Sequence, residues 1–92
     1  MTRPILLDFM ADWCMPCKAM KPILAELEKE YDFTISKIDV DKNPHLTTTH
    51  NVASIPTLIL LVGKVEAGRL VGAQSKENIL KMFKGKVQRR KE

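Results

Sequence analysis

The stretch Ile5-Leu6-Leu7-Asp8-Phe9-Met10-Ala11-Asp12-Trp13-Cys14-Met15-Pro16-Cys17-Lys18 decides how the rest of the chain is read. Ile5 to Met10 is a short apolar run, the pattern of a strand covered on both faces, with one acid, Asp8, inside it. Ala11, Asp12 and Trp13 read as a loop, and a helix begins at about Cys14. Cys14 then stands at a strand-to-helix junction. There the first helical N–H groups lack intrahelical partners and the helix dipole favours an anion. For a cysteine that anion is the thiolate, which is the nucleophilic form. Two intervening residues on a helical turn bring the sulfurs of Cys14 and Cys17 within bonding reach. Pro16 falls early in the helix, where its missing N–H costs nothing.

This pattern points to thiol–disulfide exchange. Cys14 is expected to attack a disulfide in a partner and form a mixed disulfide, which Cys17, deeper in the first turn, resolves. Cys17 must lose its proton to do so. Asp8, on the strand beneath the motif, is the candidate acceptor, because burial raises a carboxyl pKa toward neutrality. Lys37 on the next strand is its candidate ionic neighbour. Trp13, a wet indole beside a reactive thiol, suits partner contact. The competing reading of a lone Cys-x-x-Cys is half a zinc site. No second Cys-x-x-Cys exists, and His45 and His50 lie much farther from Cys17 than the ~12–15 residues of a finger. The two histidines read as an ordinary exposed helix face.

Working outward, apolar residues Met20, Ile23, Leu24, Leu27 and Tyr31 recur at helical spacing, which predicts a single helix from about Cys14 to Tyr31, kinked at Pro22. Phe33 to Val40 alternates as a second strand. Asn43 and Pro44 are the N-cap and first residue of a short helix, weakened by Thr47, Thr48 and Thr49. Thr57 to Val62 is a continuous apolar run and predicts a central strand. Gly63-Lys64 turns the chain into a hairpin partner, Val65 to Val71, with Gly68 as a candidate bulge. Ser75 caps a last helix from Lys76 to about Lys84, and Gly85 ends it. The order β-α-β-α-β-β-α predicts an α/β fold. The first two strands run parallel and the last two antiparallel, in a mixed four-stranded sheet with helices on both faces.

The totals agree with one small domain spanning residues 1–92. Of its 92 residues, 45% are hydrophobic and 28% charged, as in an ordinary globular protein. The net charge of +4 resides in the C-terminal segment, where Lys84, Lys86, Arg89, Arg90 and Lys91 face only Glu92. Residues 85–92 therefore read as a basic tail, solvated and fraying, rather than as a nucleic-acid groove. No apolar run reaches the ~18 residues of a membrane span, and the N-terminus lacks the pattern of a secretory leader, so the expectation is a cytoplasmic protein. With both cysteines in one motif, a structural disulfide framework is excluded.

The whole series resembles a thioredoxin: Asp8, Trp13-Cys14-x-Pro16-Cys17-Lys18, Pro22, Lys37 before Ile38-Asp39-Val40-Asp41, Ile55-Pro56-Thr57 and Val71-Gly72, in that order. The resemblance runs from about Ile5 to Phe83. It implies a thioredoxin-like fold in which Cys14 attacks, Cys17 resolves, Asp8 is the buried acid and Lys37 its neighbour. It further implies a cis-proline at Pro56 facing the cysteines. Ile55 would offer its backbone to an extended partner segment, and Trp13, Val71, Gly72 and Ala73 would line the same shallow groove. Met15 replaces the family's usual glycine at a position that touches the partner and influences the thiol. Met10 stands where the family often has a second tryptophan. The chain begins at the strand before the active site, without the family's usual leading strand and helix, the truncated plan also found in glutaredoxins.

The expectation is therefore a monomeric reductant of disulfide-containing client proteins. It would need no bound cofactor and be recharged by a separate thioredoxin reductase, since no Gly-rich fingerprint for a flavin or nicotinamide is present. The alternatives are a glutaredoxin-like or isomerase-like role at a more oxidising potential, a non-catalytic binding module on the same fold, and nucleic-acid binding through the tail. Both cysteines being present argues against the binding module.

Overall fold

The computed structural model describes residues 3–91. Four strands, β1 (Ile5–Met10), β2 (Thr34–Asp39), β3 (Thr57–Val62) and β4 (Val65–Val71), form one sheet in the order β2-β1-β3-β4. β1 runs parallel to β2 and antiparallel to β3, and β3 and β4 form an antiparallel hairpin. The sheet is thus mixed, as the element order predicts. β1 and β3 are its two inner strands, which is why both are apolar on both faces.

Alternation along β1 divides the core. Leu6 faces the side covered by α2 (Lys21–Glu30) and α4 (Lys76–Phe83), where it meets Leu24, Leu27, Phe33, Leu58, Leu60, Ile79 and Phe83. Leu7 and Phe9 face the opposite side with Ile38 and Ile59, covered by Val52 and the segment around α3 (Pro44–Thr49). Helical elements therefore lie on both faces. Asp8 shares the parity of Leu6 and turns toward the side of α2.

Several local expectations are corrected. The long kinked helix is two helices, α1 (Met15–Ala19) and α2, separated at Met20. The N–H of Met20 bonds back to Cys17 and Lys18, closing the first helix. Pro22 then falls in the first turn of the second, where no partner is required of it. α3 forms in spite of its threonines, whose hydroxyls at Thr47 and Thr48 donate to the carbonyls four residues back. Asn43 does not cap it by its side chain. Instead, Asn43 Nδ2 donates to the Asp39 carbonyl at the end of β2. His50 is not an exposed surface histidine, since its ring packs 5.6 Å from that of Phe9. The hairpin has its irregularity opposite Leu60 and Leu61, with Gly68 paired to Leu60. A Cβ there would come within 2.6 Å of Met82 Cγ, so the glycine lets α4 lie close on β4. Ser75 caps α4 as expected, its hydroxyl accepting from Asn78 N–H at 3.1 Å.

The largest correction concerns the C-terminal segment, whose residues 87–90 are held against the fold. Val87 is 8% exposed and belongs to the core. Gln88 O accepts from Asp32 N–H at 2.8 Å, and Arg90 N–H donates to Glu30 O at 2.9 Å, so the segment pairs with the chain leaving α2. The Arg90 side chain reaches Glu28 O, and the Arg89 guanidinium lies 5.2 Å over the Tyr31 ring. Charge alone predicts a solvated tail, but one buried valine and three backbone-directed bonds hold it down. Val87→Ala is accordingly expected to lower unfolding stability by about 1–3 kcal/mol, as core truncations do. Chemical denaturation checks this, and a change within about 0.5 kcal/mol would mark the segment as an ordinary loose end.

Candidate active site

The end of β1 feeds directly into the reactive turn. Cys14 N–H donates to Ala11 O at 3.1 Å, closing the loop that contains Trp13. Cys14 is the N-cap of α1 in extended backbone conformation (φ −83°, ψ 106°). Its Sγ accepts from Cys17 N–H at 3.2 Å. The first helical turn thus aims a backbone donor at the Cys14 sulfur, an arrangement that favours a thiolate there. Pro16 lies in the first turn of α1, and the Cα atoms of Cys14 and Cys17 are 5.3 Å apart, joined through a disulfide. The structure is therefore of the oxidised state.

Exposure does not rank the two cysteines as expected. Cys14 is 4% and Cys17 8% exposed. Their surroundings differ instead. Both pack against Ala11, with Met10, Val40 and Ile55 around them. Only Cys17 lines a cavity of about 40 Å³ that it shares with Asp8, Met10, Lys18, Lys21 and Lys37. That volume accommodates about one water molecule.

Asp8 is buried in an inner strand. Its register partners are Lys37 on β2 and Leu58 on β3. Burial pushes the Asp8 carboxyl above its ordinary value, and the ammonium groups of Lys37 and Lys21 pull it partly back. Lys37 forms no ion pair with Asp8 among the described residues, so its influence acts across the cavity. Lys21 was missed by sequence reasoning because an exposed lysine on an amphipathic helix looks like any wet-face residue.

The groove residues assemble on the other side of the disulfide. The Ile55–Pro56 bond is cis. The β3–β4 register sets Val71 opposite Thr57, and Gly72 N–H donates to Pro56 O at 2.8 Å, so Val71 and Gly72 lie beside the proline. Gly72 takes φ +87°, a conformation that favours glycine. Ile55 and Trp13 line a groove of about 350 Å³ with Val40, Val52 and Ser54. Trp13 is 66% exposed, and its indole N–H donates to Asp41 Oδ2 at 2.7 Å, which fixes the ring at the groove's lip. Asp41 was a second omission, although it closes the Ile38-Asp39-Val40-Asp41 series. Met15, 70% exposed, and Pro16 stand on the outer surface of α1, and Ala73 is exposed beyond the end of β4. Among the described residues, no group of three or more histidine, cysteine or acidic side chains is placed to hold a metal ion.

A four-stranded α/β sheet whose first strand delivers a capped Cys-x-x-Cys beside a cis-proline defines the class of thiol–disulfide exchange proteins with the thioredoxin fold. Comparison with known proteins agrees. The family model described as Thioredoxin matches residues 1–85. The thioredoxin of Mycobacterium tuberculosis is 44% identical over 81 residues, 86% of this chain and 70% of that one. The bifunctional thioredoxin reductase/thioredoxin of Mycobacterium leprae is 43% identical over 81 residues, of which this chain spans 18% of the length. Among solved structures, a mutant thioredoxin from Halobacterium salinarum superposes with a TM-score of 0.85 at 32% identity, over 90% of this chain and 74% of that one. The chain belongs to the thioredoxin family. It is a protein-disulfide oxidoreductase that works by dithiol–disulfide exchange.

Asp8 also leaves a signature in stability. Its carboxyl is raised in the folded protein, so its contribution to folding is fully present below the unfolded-state pKa and is lost as pH rises through the folded one. Near neutral pH the buried carboxylate therefore weakens the fold. Asp8→Asn should raise Tm at pH 7, by roughly 4–8 °C for each kcal/mol relieved, with the gain disappearing in acid. Thermal melts across pH 3 to 8 check the sign, and a gain that persisted in acid would mean that packing rather than charge was responsible.

Proposed function

We propose that Cys14 is the attacking thiol, Cys17 the resolving thiol, and Asp8 the group that accepts the Cys17 proton. The observation that carries this assignment is the cavity shared by Asp8 and Cys17 and not lined by Cys14. In the reduced protein the Cys14 thiolate attacks one sulfur of a client disulfide. A Cys14–client disulfide forms and the client's other sulfur leaves as thiolate. Cys17 passes its proton to the Asp8 carboxylate and attacks the Cys14 sulfur, expelling the second client thiolate. The client gains two electrons and, with protons, becomes a dithiol, while this chain acquires the Cys14–Cys17 disulfide.

Trp13, Ile55, Pro56, Val71 and Gly72 form the surface on which an extended client segment docks, with Met15, Pro16 and Ala73 at its rim. The exposure of Trp13, Met15 and Val71 supports this, since large apolar groups left in water around a reactive centre mark a binding surface. Lys37 holds the Asp8 carboxyl within reach of ionisation. The electron donor is a separate thioredoxin reductase, a reading supported by the relative that carries thioredoxin reductase and thioredoxin together in its name. The protein is read as one domain, acting as a monomer in the cytoplasm, where a reductase keeps such pairs reduced.

Cysteine variants test the order of attack. Cys17→Ser should accumulate a stable mixed disulfide with a test peptide bearing one activated disulfide, seen as a mass increase by electrospray. Cys14→Ser should accumulate none and should lose turnover of insulin disulfides by at least about 10³-fold, as expected when the nucleophile of an exchange reaction is removed. Trapping by Cys14→Ser instead would reverse the roles.

A further inference from the structure

The cavity over Asp8 has more charge around it than the exchange scheme uses. Its floor is β1, contributing Asp8 and Met10, and β2 adds Lys37 from one side. The helical side contributes Cys17 and Lys18 from α1 and Lys21 from α2, and Asp12 from the loop after β1 also lines it. The groups facing the carboxyl are therefore three lysines and one other acid. Lys37 and Lys21 are the two whose charge acts on it.

Neither the stability of its own helix nor a surface ion pair explains Lys21. It is the first residue of α2, which has no acidic residue in its first turn. A cation there stands at the positive end of the helix dipole, the unfavourable end. Among the described residues Lys21 takes part in none of the ion pairs, whereas the carboxylates further along α2, Glu26 and Glu30, are both held by Lys76. A residue that breaks a local rule and is unused nearby calls for a role elsewhere. The division of the helix at Met20 keeps Lys21 on the cavity side, four residues beyond Cys17.

We propose that Lys21 is a positioning residue for the exchange reaction: from the helical wall of the cavity it supplies a second positive charge to the Asp8 carboxyl, opposite Lys37, and so keeps that group ionised and able to take the Cys17 proton. This rests on Asp8 being the proton acceptor. Desolvation favours a neutral carboxyl, and a carboxyl that already holds a proton cannot take another. Each lysine is exposed and each charge is screened by solvent, so one alone has limited reach. Two from separate walls offset the burial more fully. The transfer balances as Cys17 thiol plus Asp8 carboxylate giving Cys17 thiolate plus Asp8 carboxylic acid. The proton then leaves through the cavity mouth.

The test is the pH profile of insulin-disulfide reduction by the full chain, measured for wild type, Lys21→Gln, Lys21→Arg and Asp8→Asn. Lys21→Gln should slow resolution about two- to fivefold on the acid side of the profile, the size of one partly exposed charge interaction, with no change on the alkaline side. Lys21→Arg should restore the wild-type profile. The defect should shrink in ~1 M salt, where the screening length falls to ~3 Å. As a readout independent of turnover, the carboxyl-carbon NMR titration of Asp8 in the oxidised protein should move upward in Lys21→Gln. An unchanged titration and profile, or the same defect in an Asp8→Asn background, would overturn the role of Lys21 alone. An Asp8→Asn profile identical to wild type would overturn the underlying assignment of Asp8, and the role of Lys21 with it.

Discussion

Everything at the site depends on β1 being held between β2 and β3 with helical cover on both faces. An inner strand cannot slip by one residue without turning Leu6 toward the wrong side and Leu7 and Phe9 out of theirs. That register sends Asp8 toward α2, places Lys37 beside it and delivers Ala11 to the point where its carbonyl accepts from Cys14 N–H. The position of the reactive turn is thus a consequence of how β1 packs. A rigid element underneath lets two sulfurs be aimed.

The two cysteines are then made different by what each one faces. Cys14 receives the Cys17 backbone N–H and lies beside the groove lined by Trp13 and Ile55. Cys17 faces a water-sized cavity containing a buried carboxyl and surrounded by lysines. A nearby donor favours the charged form of one sulfur, while the other shares its cavity with a carboxyl. Burying Asp8 opposes folding at neutral pH, and this carboxyl shares its cavity with Cys17. The same economy appears on the groove side, where Trp13 remains in water yet is fixed by Asp41.

Much of this was legible in the residues. Strand and helix types followed from period, because an inner strand must be apolar throughout and an amphipathic helix must repeat near 3.6. The Ser75 cap and the cysteine pair were readable because each is a local chemical device spanning four residues. What was misread was settled by contacts distant in sequence. The break before Pro22 is the exception, since Pro22 reads as a kink but local bonds from Met20 N–H to Cys17 and Lys18 end one helix and let another begin. His50 looked exposed, yet Phe9, brought over by the sheet, covers its ring. The basic segment after Lys84 looked solvated, but Val87 finds a place in the core and Tyr31 lies beneath Arg89.

By itself the sequence determined the succession of strands, the mixed sheet and the Cys14–Cys17 pair. All three rest on short-range patterns, namely hydrophobic period, turn residues and a two-residue spacing between thiols. Only the tertiary structure decided which groups surround that pair. Lys21 is an ordinary wet-face lysine in the sequence, and Asp41 one acid among several. Their roles arise because the sheet register and the break at Met20 bring α2 over Asp8 and bring the end of β2 to the indole of Trp13. Electrostatic influence depends on distance and burial, and neither quantity is written in the order of residues.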